Sequence, residues 1–165
     1  MNDRFDFGRF RALRNSMDTV DHIYGKARSI LSFMGHVIKG DSHAALGVKI
    51  AVGPDGSNIV AEFQSPYGNA QIILLWKVLR SDESRSSDMV VGRLVAVCPD
   101  NFSPAEVVPV WQMYIPKDGE PWVPDEGGDF VLHIEDSFGN NLGNEGFLVT
   151  MDLLAAVVER KPIQL

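Results

Sequence analysis

Cysteine is nearly absent. Cys98 stands alone among 165 residues, which excludes an intramolecular disulfide, fits a reducing compartment and leaves the thiol to be read as a small apolar group at a strand end. Long hydrophobic runs are missing too. The longest, Ile72–Trp76 and Leu153–Val158, fall far short of the roughly 20 apolar residues that span a bilayer. The opening MNDRFDFGRFRALR lacks the apolar core of roughly 7–15 residues that a secretory leader requires. A cytoplasmic protein is the expectation. No Gly-rich phosphate loop, zinc-type Cys/His spacing or G-x-S-x-G elbow occurs. The run DSFGNNLGNE, Asp136 to Glu145, has Phe138 where a calcium loop needs an oxygen and Asn141 where it needs glycine, so neither metal nor cofactor is expected.

Positive charge is missing from one long stretch. Between Asp118 and Glu159 there are ten carboxylates and no lysine or arginine, within a chain of net charge −7. Residues 1–40 run the other way, with a balance of +3. There Arg4, Arg9, Arg11 and Arg14 interleave with Phe5, Phe7 and Phe10, a mixture that can bind single-stranded nucleic acid or an anionic membrane. Asp3 and Asp6 interrupt it, and the overall acidity argues against both and in favour of a basic partner.

What is present is pattern. Phe10, Leu13, Met17, Val20, Tyr24, Ala27, Leu31, Met34 and Ile38 alternate intervals of three and four, a heptad stripe that predicts one amphipathic helix over residues 1–40. Ile23, Ile30 and Val37 widen the stripe in its second half. A helix of roughly 30 residues would be about 45 Å long, enough to overhang its own domain. Phe10, Leu13, Met17, Val20, Tyr24 and Leu31 are therefore the expected self-association seam, unless Gly25 breaks the helix and folds it back. His22 and His36 fall opposite the stripe and are expected at the surface.

Residues 41–165 predict an antiparallel sheet closed by a C-terminal helix. Leu46–Val52 alternates, Gly53–Asn58 is turn chemistry, and Ile59–Phe63 returns. Gln71–Leu79 is apolar on both faces, as a central strand should be, and Met89–Val97 carries Arg93 as its only charge. Ser103-Pro104-Ala105-Glu106 reads as a capping box, with Phe102 and Val107 as a staple. Pro109 then forces an edge-type strand over Val110–Ile115, with Trp111 and Met113 inward. Asp129–Glu135 is the last strand, with Phe130, Leu132 and Ile134 inward. Asn144 caps a helix whose stripe is Phe147, Met151, Leu154 and Val158. Taken together, the fold class is α+β, with a long N-terminal helix, about six strands and a C-terminal helix.

The densest stretch is WQMYIPKDGEPWVPDEGGDF, Trp111 to Phe130. Pro116, Pro121 and Pro124 stiffen a long connection, which lowers the entropy lost on binding. An exposed Trp122 among Asp118, Glu120, Asp125, Glu126 and Asp129 would be an interface anchor; a Trp122 folded onto the sheet would make the loop a lid. The sequence thus favours a non-enzymatic adaptor or inhibitor, immunity-like or chaperone-like, that binds a basic protein partner. Two other readings remain open: a small-molecule-binding domain or enzyme with a sheet cavity using His43, His133 and Glu135, and a structural assembly subunit built on the first helix.

Overall fold

The computed structural model describes residues 16–40, 43–80, 90–134 and 140–165. Phe10, Leu13 and Glu135 lie outside them. The described chain is α+β. Helix α1 (Ser16–Val37) precedes seven strands, and helix α2 (Asn140–Glu159) follows them. The strands are β1 (Lys49–Val52), β2 (Ile59–Ser65), β3 (Gly68–Val78), β4 (Val90–Pro99), β5 (Val107–Pro116), β6 (Trp122–Val123) and β7 (Phe130–Val131). They form one antiparallel sheet in chain order, β1 to β7, curled into a half-barrel. Seven strands replace the expected six because Trp122–Val123, expected within a loop, adds one, while the expected last strand, Asp129–Glu135, shortens to Phe130–Val131. Among the described residues no helix is long and apolar enough to cross a membrane.

Helix α1 lies on its own sheet and does not break at Gly25. Its buried side chains are Thr19, Ile23, Ala27, Ile30, Leu31 and Met34, joined by Ile38 just past its end. That set follows the 3.6-residue period of a straight helix. A heptad stripe drifts about 20° per seven residues from such a face unless two helices supercoil. The drift carries Met17, 82% exposed, and Val20 off the contact. Leu31 is fully buried inside the chain, and Tyr24 is half-buried, its hydroxyl accepting from the Gly56 amide at 2.8 Å. Leu31 is therefore core rather than a seam residue, which corrects that part of the expected interface. His22 and His36 are exposed, as expected.

Two glycines set how closely α1 approaches the sheet. A Cβ at Gly92 would run into Ile23 and Leu74, and one at Gly35 would stand 3.1 Å from the Ile50 carbonyl oxygen. Gly92→Val should therefore push the helix outward and destabilise by about 1–3 kcal/mol, the usual scale of overpacking. Urea unfolding measures this, and an unchanged midpoint would mean that the helix is not seated there.

Strand β5 is the fifth of seven and no edge. Pro109 is accommodated by a bulge between Ala96 and Val97, where Trp111 pairs with Ala96 and Pro109 with Val97, because a bulge relieves the local ladder of its demand for an amide donor. The capping box before it forms no helix. Asp100 Oδ1 instead accepts from the amides of Phe102 and Ser103 at 2.7 and 3.0 Å, and Glu106 N donates to Ser103 O. The side-chain oxygen offers the backbone a turn in place of a helix, and the staple fails, with Phe102 96% exposed.

Helix α2 starts four residues earlier than Asn144, which lies within it. Its buried stripe is Gly146, Val149, Thr150, Leu153 and Val157, while Val158 and Leu148 are exposed. The face is rotated by about one position from the expected one. Thr150 satisfies its buried hydroxyl on the Gly146 carbonyl at 2.7 Å. Both helices cover the face that carries Ile72, Leu94, Trp111 and Met113, and Trp111 Nε1 donates to Asp152 Oδ2 at 2.8 Å. Alternation sends Val91, Tyr114 and Trp122 to the other face, where they form a smaller cluster with Leu79.

Candidate functional site

The Pro/Trp loop is built as a lid with an acidic rim. Its first bend is held by α1. The Lys26 ammonium donates to the carbonyls of Pro116, Lys117 and Gly119 at 3.0, 3.4 and 2.5 Å. About two turns earlier on α1, Asp18 Oδ2 pairs with Lys117 Nζ at 2.5 Å, and that ammonium holds the exposed Asp18 carboxyl below its usual range. Glu120 Oε2 accepts from the Ile134 amide at 2.7 Å, tying the middle of the loop to the chain that leaves the sheet. Trp122 then enters β6 with 2% exposure, its ring centroid 5.3 Å from that of Tyr114. The exposed anchor expected at Trp122 is thus corrected: the indole is core, because strand pairing with Tyr114 and Val131 turns it onto the sheet.

The remaining acids divide by task. Asp129 is half-buried and its Oδ1 accepts from the Asp125 amide at 3.4 Å, while Gly128 N closes the same turn on Asp125 O at 3.1 Å. Gly128 has φ of +124°, a conformation that other residues rarely adopt. This turn presents Asp125 and Glu126 to solvent, and Asp118 is exposed on the other side of the loop. Beside it lies a groove of about 470 Å³ between β6–β7 and α2, lined by Val123, Pro124, Asp125, Phe130, Leu148, Val149 and Asp152. Its floor is apolar and its edges are carboxylates. Sequence reasoning placed the acids of the rim but missed Leu148, Val149 and Asp152. The one available signal was that the apolar run Phe147-Leu148-Val149 is wider than one helical stripe needs.

Of the expected His43, His133 and Glu135 group, Glu135 lies outside the described residues, and the two histidines have contacts of their own. His133 Nδ1 lies 2.8 Å from Glu145 Oε1, and the His133 amide donates to Glu145 Oε2 at 2.8 Å. Glu145, a carboxylate on α2, is thus one partner of His133 and fastens that helix to the chain beyond β7. His43 stacks on Phe147, with centroids 4.2 Å apart. Among the described residues no group of three His, Cys, Asp or Glu side chains could hold a metal ion. Cys98 is buried, and that burial raises its thiol pKa, which keeps it in the unreactive protonated form. No protein family, curated protein or solved structure matches the chain.

Proposed function

We propose that the chain is a non-enzymatic adaptor or inhibitor that takes a basic segment of a protein partner into the groove between β6–β7 and α2. The observation that carries this reading is the junction of an apolar floor with carboxylates inside a stretch, Asp118 to Glu159, that has no lysine or arginine. An apolar residue of the partner would seat on Leu148, Phe130 and Val123, and flanking cations would meet Asp125, Glu126 and Asp152. Carboxylates on a rim raise the association rate and select against acidic partners, while the apolar contact resists dissociation. Fixing the loop at Lys26, Lys117 and Glu120 reduces the ordering cost of binding.

The test starts from a partner captured from the native host with the wild-type chain as bait, then measures its association directly. Asp125→Asn combined with Glu126→Gln should slow association several-fold and flatten its salt dependence, because screening acts over roughly 8–10 Å at about 0.1–0.15 M salt. Leu148→Arg, at a half-exposed position, should speed dissociation without lowering the melting temperature. Association that ignores both salt and the neutralised acids would leave the rim as a solvated face only.

A further inference from the structure

Two carboxylates, Asp125 and Asp152, line the groove between β6–β7 and α2, and one of them is oriented from inside the protein. Trp111, 4% exposed on β5, donates its Nε1–H to Asp152 Oδ2 at 2.8 Å, while Asp152 itself is exposed on α2. Among the described residues no ion pair engages Asp152. One indole N–H uses only one of the four lone-pair sites of a carboxylate. Oδ1 and the second site on Oδ2 are left for a ligand, in a plane that the indole restrains.

The groove of about 470 Å³ opens to solvent between exposed Leu148, Asp125 and Asp152. Leu148, Val149 and Asp152 lie within about one turn of α2. Across from them stand Val123 and Phe130, paired between β6 and β7. A long aliphatic stem can cross this apolar floor with its charged head at Asp152. Lysine and arginine both carry such a stem, but they differ in what an oriented carboxylate offers them. The ammonium is a compact, strongly hydrated point charge whose donors rotate, so the carboxylate plane matters little to it. The guanidinium is flat and weakly hydrated, and its fork meets both oxygens of a carboxylate held in one plane. It also tolerates an aromatic neighbour such as Phe130.

We propose that the groove selects arginine over lysine. The guanidinium of the partner segment pairs with Asp152, a neighbouring apolar residue seats on Leu148, Phe130 and Val123, and Trp111 is the positioning residue behind the preference. The inference rests on the groove being the seat of a basic segment, and it names the side chain that the segment must carry.

The 15N-labelled full chain has three indole Nε1–H signals, from Trp76, Trp111 and Trp122, and loss of one in Trp111→Phe identifies the reporter on Asp152. Acetyl-Leu-Arg-Leu amide should move that signal and the Leu148 backbone amide saturably. Acetyl-Leu-Lys-Leu amide should bind about tenfold more weakly, equal to about 1.4 kcal/mol, and the citrulline peptide, of the same shape without the charge, more weakly still. Asp152→Asn and Trp111→Phe should each bring the arginine and lysine peptides to equal affinity, read at the Leu148 amide. Trp111→Phe should leave the lysine peptide's own affinity unchanged, whereas an indole needed only for packing would weaken both peptides alike. Equal affinity of the wild type for the arginine and lysine peptides overturns the selectivity and leaves a basic segment in the groove. No movement with either peptide, equal movement with the citrulline peptide, or a preference that survives Asp152→Asn overturns it as well. The basic-partner reading fails separately, when association of the captured partner ignores salt.

Discussion

Leu31→Asp is expected to unfold the chain rather than to release a folded monomer. Leu31 is fully buried within α1, in the cluster that joins the helix to β1, β2 and β4. Removing its side chain alone would cost about 2–5 kcal/mol through lost transfer and cavity terms. The carboxylate adds a desolvation penalty of several kcal/mol, since Leu31 is fully buried in an apolar cluster. Against a typical domain stability of about 5–15 kcal/mol, the sum removes the folded state at ordinary temperature. Met17→Asp is the control on the same heptad stripe. Its side chain is 82% exposed, so the change should stay within about 0.5 kcal/mol. Circular dichroism and light scattering separate the outcomes. A Leu31→Asp chain that is folded, monomeric and as stable as wild type would put Leu31 in an intermolecular seam and overturn its place in the core.

Elements whose pattern is long enough to register a period were legible in the sequence. The Gly53–Asn58 turn and the inward Trp111 and Met113 follow from turn chemistry and period-2 alternation. The apolar strand around Ile72 was legible as a strand but is not covered on both faces, since Trp76 and Val78 are exposed. What failed was decided by context. Two-residue strands such as β6 and β7 have no period to read. Pro109 looked like the mark of an edge because the bulge that accommodates it depends on pairing with β4. The capping box at Ser103 lost to Asp100, an equally local competitor for the same amides. Heptad and 3.6-residue patterns diverge by so little per turn that the first helix read as a self-association seam, although its buried face, from Thr19 to Met34, docks on its own sheet.

The candidate site divides in the same way. Its rim acids belong to the stretch Asp118 to Glu159, which has no lysine or arginine, and were visible as composition. Its floor combines Val123 and Phe130 with Leu148 and Val149, brought together only when α2 packs beside β6 and β7. The clamp that fixes the loop comes from Lys26, some ninety residues earlier in the chain, and no spacing rule connects the two. Glu145, the partner of His133, lies on a different element and was likewise out of reach.

Trp122→Ala should lower the melting temperature sharply, by an amount comparable with Trp111→Ala. Both indoles are almost fully buried, Trp111 under α2 and Trp122 beside Tyr114, Leu79 and Val91 on the opposite face of the sheet. Cutting a buried tryptophan to alanine costs about 3–5 kcal/mol, with the higher figures where the surroundings cannot collapse into the space. At Trp122 they are restrained. Lys26 holds the backbone at Pro116, Lys117 and Gly119, Glu120 is bonded to the Ile134 amide, and Trp122 itself is paired to Tyr114 and Val131. The loop cannot settle inward without breaking one of these, so the cavity should stay open. Trp111→Ala loses in addition the Nε1–Asp152 hydrogen bond, but Asp152 is exposed and water can replace that donor, so the extra cost is small. Thermal unfolding followed by circular dichroism checks both variants. If Trp122→Ala melts with the wild type while Trp111→Ala does not, the indole at position 122 is not core. The loop would then be a presented recognition surface instead of a lid.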